Sequence, residues 1–181
     1  MMPSDTTVAD AQVWLRERGF IRDEEHSEFT DPISGYTIGD AFHDVSSGIV
    51  ELIHYAGAGI ALDSGPHEDM THAYREVFAE AAACTRDALT IADVAVSDGV
   101  VTFRANGQPR TWHVFDGFDD GRLDYMTFVE RMGDLTPPGS GRWAHVMGDG
   151  IPINMFLFGE PEHLRELSEW GVEDLAIYET G

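Results

Sequence analysis

One turn dipeptide constrains this fold more than any other feature of the chain. Leu89 to Val96, Val100 to Arg104 and Arg110 to Phe115 are rich in β-branched and aromatic residues, and Ser97-Asp98-Gly99 and Asn106-Gly107 divide them. Asn-Gly is the favoured pair for a two-residue hairpin turn, because both positions tolerate the positive φ that matches the twist of the flanking strands. The segment therefore reads as three antiparallel strands in succession. Strands joined so tightly argue against a parallel βαβ array, where each connection needs a crossover of about a dozen residues or more.

Periodicity supplies the other elements. Val8, Ala11, Trp14 and Leu15 recur at helical spacing behind the N-cap candidates of Ser4 to Thr7, and Gly19 supplies a stop. Residues 21 to 48 read as an acidic loop with one short strand around Tyr36 to Ile38. Ile49 to Tyr55 and Ile60 to Asp63 read as two strands of a hairpin around Ala56-Gly57-Ala58-Gly59. The strongest helical stripe is Met70, Ala73, Tyr74, Val77, Phe78, Ala81 and Ala82. Asp124 is placed to cap a helix carrying Tyr125, Phe128, Val129 and Met132. Trp143 to Met147 and Ile151 to Phe158 read as a further hairpin, followed by a helix from Pro161 to Trp170 and a strand near Leu175 to Tyr178. The expectation is a single α+β domain over residues 1–181, a mostly antiparallel sheet with three to four helices packed on it.

Charge narrows the function. Asp and Glu total 33 against 11 basic residues, a formal charge of −22, so phosphate backbones and anionic lipid surfaces would be repelled. All eleven basic residues are arginine, which reflects GC-rich coding or a salt-adapted lineage rather than a site. No run of apolar residues is long enough to span a bilayer, the N-terminus lacks the basic and apolar blocks of a signal peptide, and the single Cys84 cannot form an internal disulfide. These features lead us to expect a soluble cytoplasmic protein that binds neither nucleic acid nor membrane.

Candidate chemistry is weak wherever the residue types cluster. Asp116, Asp119, Asp120 and Asp124 lie close together in sequence, but a calcium loop starting at Asp116 would need an oxygen ligand at its third position, where Phe118 stands, and a bidentate Glu at its twelfth, where Thr127 stands. His67 and His72 are five residues apart, which turns the second imidazole about 140° from the first instead of onto the same helical face. His72 with Glu76 and His163 with Glu166 read as surface neighbours on helices. Cys84 follows three alanines and reads as a small packed hydrophobe. Gly57-Ala58-Gly59 lacks the third glycine of a phosphate loop, and no serine sits in a Gly-x-Ser-x-Gly elbow. The four tryptophans read mainly as core, although alternation puts Trp112 and His113 on opposite strand faces and sends one of them outward. No catalytic set, metal site or cofactor site is expected.

The run from Tyr74 to Glu80, the stretch Val100-Val101-Thr102-Phe103-Arg104-Ala105-Asn106-Gly107, then Trp112 to Asp116, Leu123 to Tyr125 and Arg142 to Val146 lie in a span that ends with the helix of Leu164 and Leu167 and takes in about half of the chain. This succession of a helix, a hairpin, an acidic turn, a small helix and a last hairpin resembles immunity proteins of bacterial polymorphic toxin systems. The resemblance implies a small cytoplasmic protein that neutralises a cognate toxin by occupying its active site or substrate channel. It carries over no catalytic residue. An acidic inhibitor would suit a toxin with a basic surface, because complementary charge speeds association while a few anchors supply the affinity. The expected contact residues are Asp116, Asp119, Asp120 and Asp124 with Phe118 as anchor, and a second acidic group of Asp23, Glu24, Glu25 and Glu28. Two other classes stay open: an enzyme with a small-molecule pocket built from His54, His113 and His145 with carboxylates, and an acidic housekeeping protein of a salt-adapted organism. Acidic residues spread evenly would favour the latter, and a carboxylate patch beside exposed aromatics would favour a partner.

Overall fold

The meander of residues 91–113 forms as its turns require. In the computed structural model, which describes residues 5–21, 31–42, 44–62, 65–114, 120–139, 141–146, 155–172 and 175–178, strands β2 (Ile91–Ser97), β3 (Val100–Ala105) and β4 (Gln108–His113) pair antiparallel in that order. Asn106 and Gly107 have φ of 50° and 75°, and Asp98 and Gly99 have 50° and 73°, so both connections are the mirror-image turns that hold two strands in register. Strand β2 is bulged between Ala92 and Ala95, with Asp93 at φ 56°. The alternation of Val101, Phe103 and Ala105 sends one face of this sheet inward, onto helix α4 (Met70–Cys84).

A second antiparallel sheet lies at the centre of the molecule, where one sheet was expected in all. Its order is β1 (Gly59–Ala61), β6 (Met155–Gly159), β5 (Arg142–Val146) and β7 (Leu175–Ile177). Both faces are covered, which accounts for the unbroken apolar run Met155-Phe156-Leu157-Phe158. Trp143, Phe156 and Ile60 join the core beneath α4 and α5 (Tyr125–Arg131). Ala144, Val146, Met155 and Leu157 face the other way, into a core built with α1 (Val8–Glu17), α3 (Val45–Ile53) and α6 (Pro161–Glu169). The arrangement is an α+β fold with two hydrophobic cores, one on each side of the central sheet.

The expected hairpin over 49–63 is corrected. Ile49, Val50, Leu52 and Ile53 belong to α3, and each is completely buried. A short apolar run fits a buried helix as well as a strand; what decided here is Asp44, whose carboxylate accepts from the backbone N–H of Ser47 at 2.8 Å and from its hydroxyl at 2.8 Å. The helix passes into a π-helical turn over His54–Ala58, with Gly57 at φ 71°. The chain then enters β1, whose partner is β6, far away in sequence. The short strand expected near Tyr36 is likewise corrected: a single bridge joins Thr7 and Thr37, and a short helix α2 (Ile38–Ala41) follows. The helices expected from residues 8, 70, 125 and 161 are present, and the strands expected over 143–147, 151–158 and 175–178 appear as 142–146, 155–159 and 175–177, residues 147–154 lying outside the described residues.

Candidate functional site

The acidic turn expected to carry recognition divides in two. Asp116, Phe118 and Asp119 lie outside the described residues, as do Asp23, Glu24, Glu25 and Glu28. Asp120 is exposed. Asp124 is only 7% exposed, which corrects its place on a charged surface. Its carboxylate caps α5, accepting from the backbone N–H of Met126 at 3.0 Å and the hydroxyl of Thr127 at 2.6 Å. This matches its other expected role, because a carboxylate at a helix start satisfies donors that have no partner within the helix.

A different neighbour joins Asp120. The backbone N–H of His67 donates to the carbonyl of Gly121 at 2.6 Å, so the turn lies against the segment leading into α4. Gly121 has φ 68°, and a Cβ there would come 2.6 Å from the carbonyl oxygen of His67. Glu68 and Asp69, both exposed, follow the bonded histidine directly, as Asp120 precedes the bonded glycine. Asp69 also caps α4 through the N–H of His72 at 3.1 Å. Met126, 49% exposed at the start of α5, is an exposed apolar side chain two residues beyond the Asp124 cap. The pairing of 67 with 121 spans too many residues to leave a local signal for Glu68 and Asp69.

The histidines proposed for a shared pocket occupy three separate settings. His54 is half-buried, with Nδ1 3.0 Å from the carbonyl oxygen of Gly59. His113 is exposed on β4, while Trp112 beside it is completely buried, which settles which of the two faces outward. His145 is buried in β5, its Nε2 hydrogen-bonded to the Tyr125 hydroxyl at 2.5 Å and its ring stacked on Phe156 at 5.1 Å. The surface pair of His72 with Glu76 is present at 3.2 Å. His163 instead lies 3.9 Å from Glu162, and Glu166 pairs with Arg18 across the α1–α6 seam. Among the described residues, no group of three or more His, Cys, Asp or Glu is placed to hold a metal ion, and no helix is long and apolar enough to cross a membrane.

His145 makes stability depend on pH. Burial holds its imidazole below the ordinary histidine value, and Nδ1 is buried without a hydrogen-bond partner among the described residues. The unfolded chain therefore binds the proton more readily than the native one, and stability falls as pH drops below about 6.5 toward the native value. Urea unfolding between about pH 7 and pH 5 should show a loss of up to about 1.4 kcal/mol per pH unit from this group. His145→Gln should flatten the slope over that interval. An unchanged slope in the variant would assign the acid lability to other groups.

In comparisons with known proteins, the chain matches no protein-family model, no curated protein and no solved structure.

Proposed function

We propose that the chain is a non-catalytic immunity-type protein that acts in the cytoplasm and neutralises a toxin by covering its basic active-site or substrate surface. One observation carries the reading. The bond between His67 and Gly121 joins two distant segments, and the residues beside it, Glu68 and Asp69 in one and Asp120 in the other, are exposed carboxylates. Met126 adds an exposed apolar side chain at the start of α5. Exposed carboxylates suit a basic partner because their charge steers encounter, while an apolar contact slows release.

Calorimetry and stopped-flow mixing with the protein encoded beside this chain test the proposal. Binding should be tight and should weaken at least about tenfold from low to moderate salt, as screening shortens the reach of the carboxylates. Glu68→Lys combined with Asp120→Lys should slow association about tenfold and leave dissociation nearly unchanged. Absence of binding at either salt would remove this reading. The carboxylates exposed on other elements, such as Glu17, Asp93, Glu130 and Glu169, favour a second reading in which acidity serves solvation over the whole surface.

A further inference from the structure

We propose that a cavity of about 370 Å³ between the two hydrophobic cores is a binding site for a small organic anion with an apolar body, its charged group held by Arg86. The cavity lies where the ends of α1 and α4, the π-helical turn and the end of β6 converge, and the inference does not rest on the carboxylates beside the His67–Gly121 bond. Its volume is that of about a dozen water molecules, within the range of natural small-molecule sites.

Charge supplies the argument. The protein carries only 11 basic residues against 33 acidic ones, yet Arg18 and Arg86 both line this cavity, where Glu160 is the single carboxylate among the described lining residues. Arg18 is committed: its Nε donates to Glu166 and its guanidinium sits 4.0 Å over the ring of Trp14. Among the described residues Arg86 makes no ion pair, and its Nη2 donates to the neutral backbone carbonyl of Gly19. A guanidinium offers five N–H donors in a planar fork suited to a carboxylate.

The helix ends at the cavity have their last carbonyls paired. The last carbonyls of α1 accept from the N–H groups of Gly19 and Phe20, and those of α4 from Arg86 and Asp87. Residues 86 and 87 hold φ of 56° and 62°, a left-handed pair that ends the helix and places Arg86 at the rim. The opposite wall is apolar. A Cβ at Gly141 would come 2.4 Å from the Phe158 ring, and one at Gly159 would come 2.6 Å from the Phe20 ring, so these glycines let both rings lie close against the backbone. An aromatic carboxylate matches one cationic rim and two aromatic rings.

The test uses 2-naphthoate and its neutral isostere 2-naphthamide, titrated at constant ionic strength into the full chain and followed by amide NMR shifts. Naphthoate should bind below about 1 mM and move the amides of Gly19, Gly57, Gly141 and Gly159, and naphthamide should bind at least about tenfold more weakly. Arg86→Gln keeps a donor for the Gly19 carbonyl while removing the charge, and should cost naphthoate about tenfold or more. Equal binding of both probes, unchanged affinity in Arg86→Gln, or shifts elsewhere in the molecule would overturn the proposal. Cys84, buried in the cavity wall, gives a readout on the unaltered protein. Relative to the unfolded chain, its alkylation should favour iodoacetate over iodoacetamide, against the repulsion of a net charge of −22. The reverse preference would also overturn the site.

Discussion

Trp112→Ala is expected to lower stability by about 4 kcal/mol, the loss typical of truncating a large buried aromatic side chain. Trp112 is completely buried and holds the first core together from β4. Its indole meets Phe78, Phe103 and Phe128 edge-on, with ring centres 5.3, 5.1 and 5.5 Å away. Its Nε1 donates to the Asp134 carboxylate at 3.0 Å. Alanine leaves a cavity among three rings that cannot close without disturbing both α4 and α5, and it strands the carboxylate. Urea unfolding would read this as a large fall in midpoint. Trp14→Ala should cost nearer 1 kcal/mol, because Trp14 stacks on Trp170 at a half-exposed seam between α1 and α6. Should Trp112→Ala not fold, Trp112→Phe keeps most of the apolar volume and should lose about 1–2 kcal/mol. Equal losses at Trp14 and Trp112 would contradict the placement of the core.

Asp124→Ala is expected to cost about 2–3 kcal/mol, combining a lost helix cap with a buried Thr127 hydroxyl left without its acceptor. The carboxylate also lies close to the buried Tyr74, whose hydroxyl is held well above the ordinary tyrosine range, chiefly by burial and further by this negative charge. Asp124→Asn retains a capping oxygen and should lose less than about 1 kcal/mol. The pair of variants separates two roles for one residue. If Asp124 acts through the cap alone, Asp124→Asn leaves partner association at the rate of the unaltered protein while Glu68→Lys with Asp120→Lys slows it. A slowed association in Asp124→Asn would return this carboxylate to the contact surface.

Most of the architecture was legible because its determinants are local. Asn106-Gly107 fixes a hairpin within a few residues of itself, and the apolar stripe from Met70 to Ala82 repeats at the helical period over several turns. Ile49 to Ile53 was misread because four apolar residues satisfy either period when every side is buried, and the deciding group, Asp44, lies outside the run. The candidate site was legible only in part. Asp120 is legible from its sequence neighbourhood, whereas the segment of Glu68 and Asp69 is joined to it only through a backbone bond between residues 67 and 121. No alternation or spacing encodes such a contact.

The cavity shows the same division. Arg18, Arg86 and Phe158 are unremarkable in sequence, and only the meeting of helix ends with the edge of the central sheet brings them together. The sequence by itself determined the α+β class, the meander of residues 91–113, the helices that start near residues 8, 70, 125 and 161 and the strongly negative charge, because turn chemistry, periodicity and charge act over a few residues or over the composition as a whole. The tertiary structure alone decided that there are two sheets, that Asp124 turns inward and that Arg86 comes to the rim of a cavity. Those outcomes depend on which distant surfaces bury one another, and burial is a property of the packed chain.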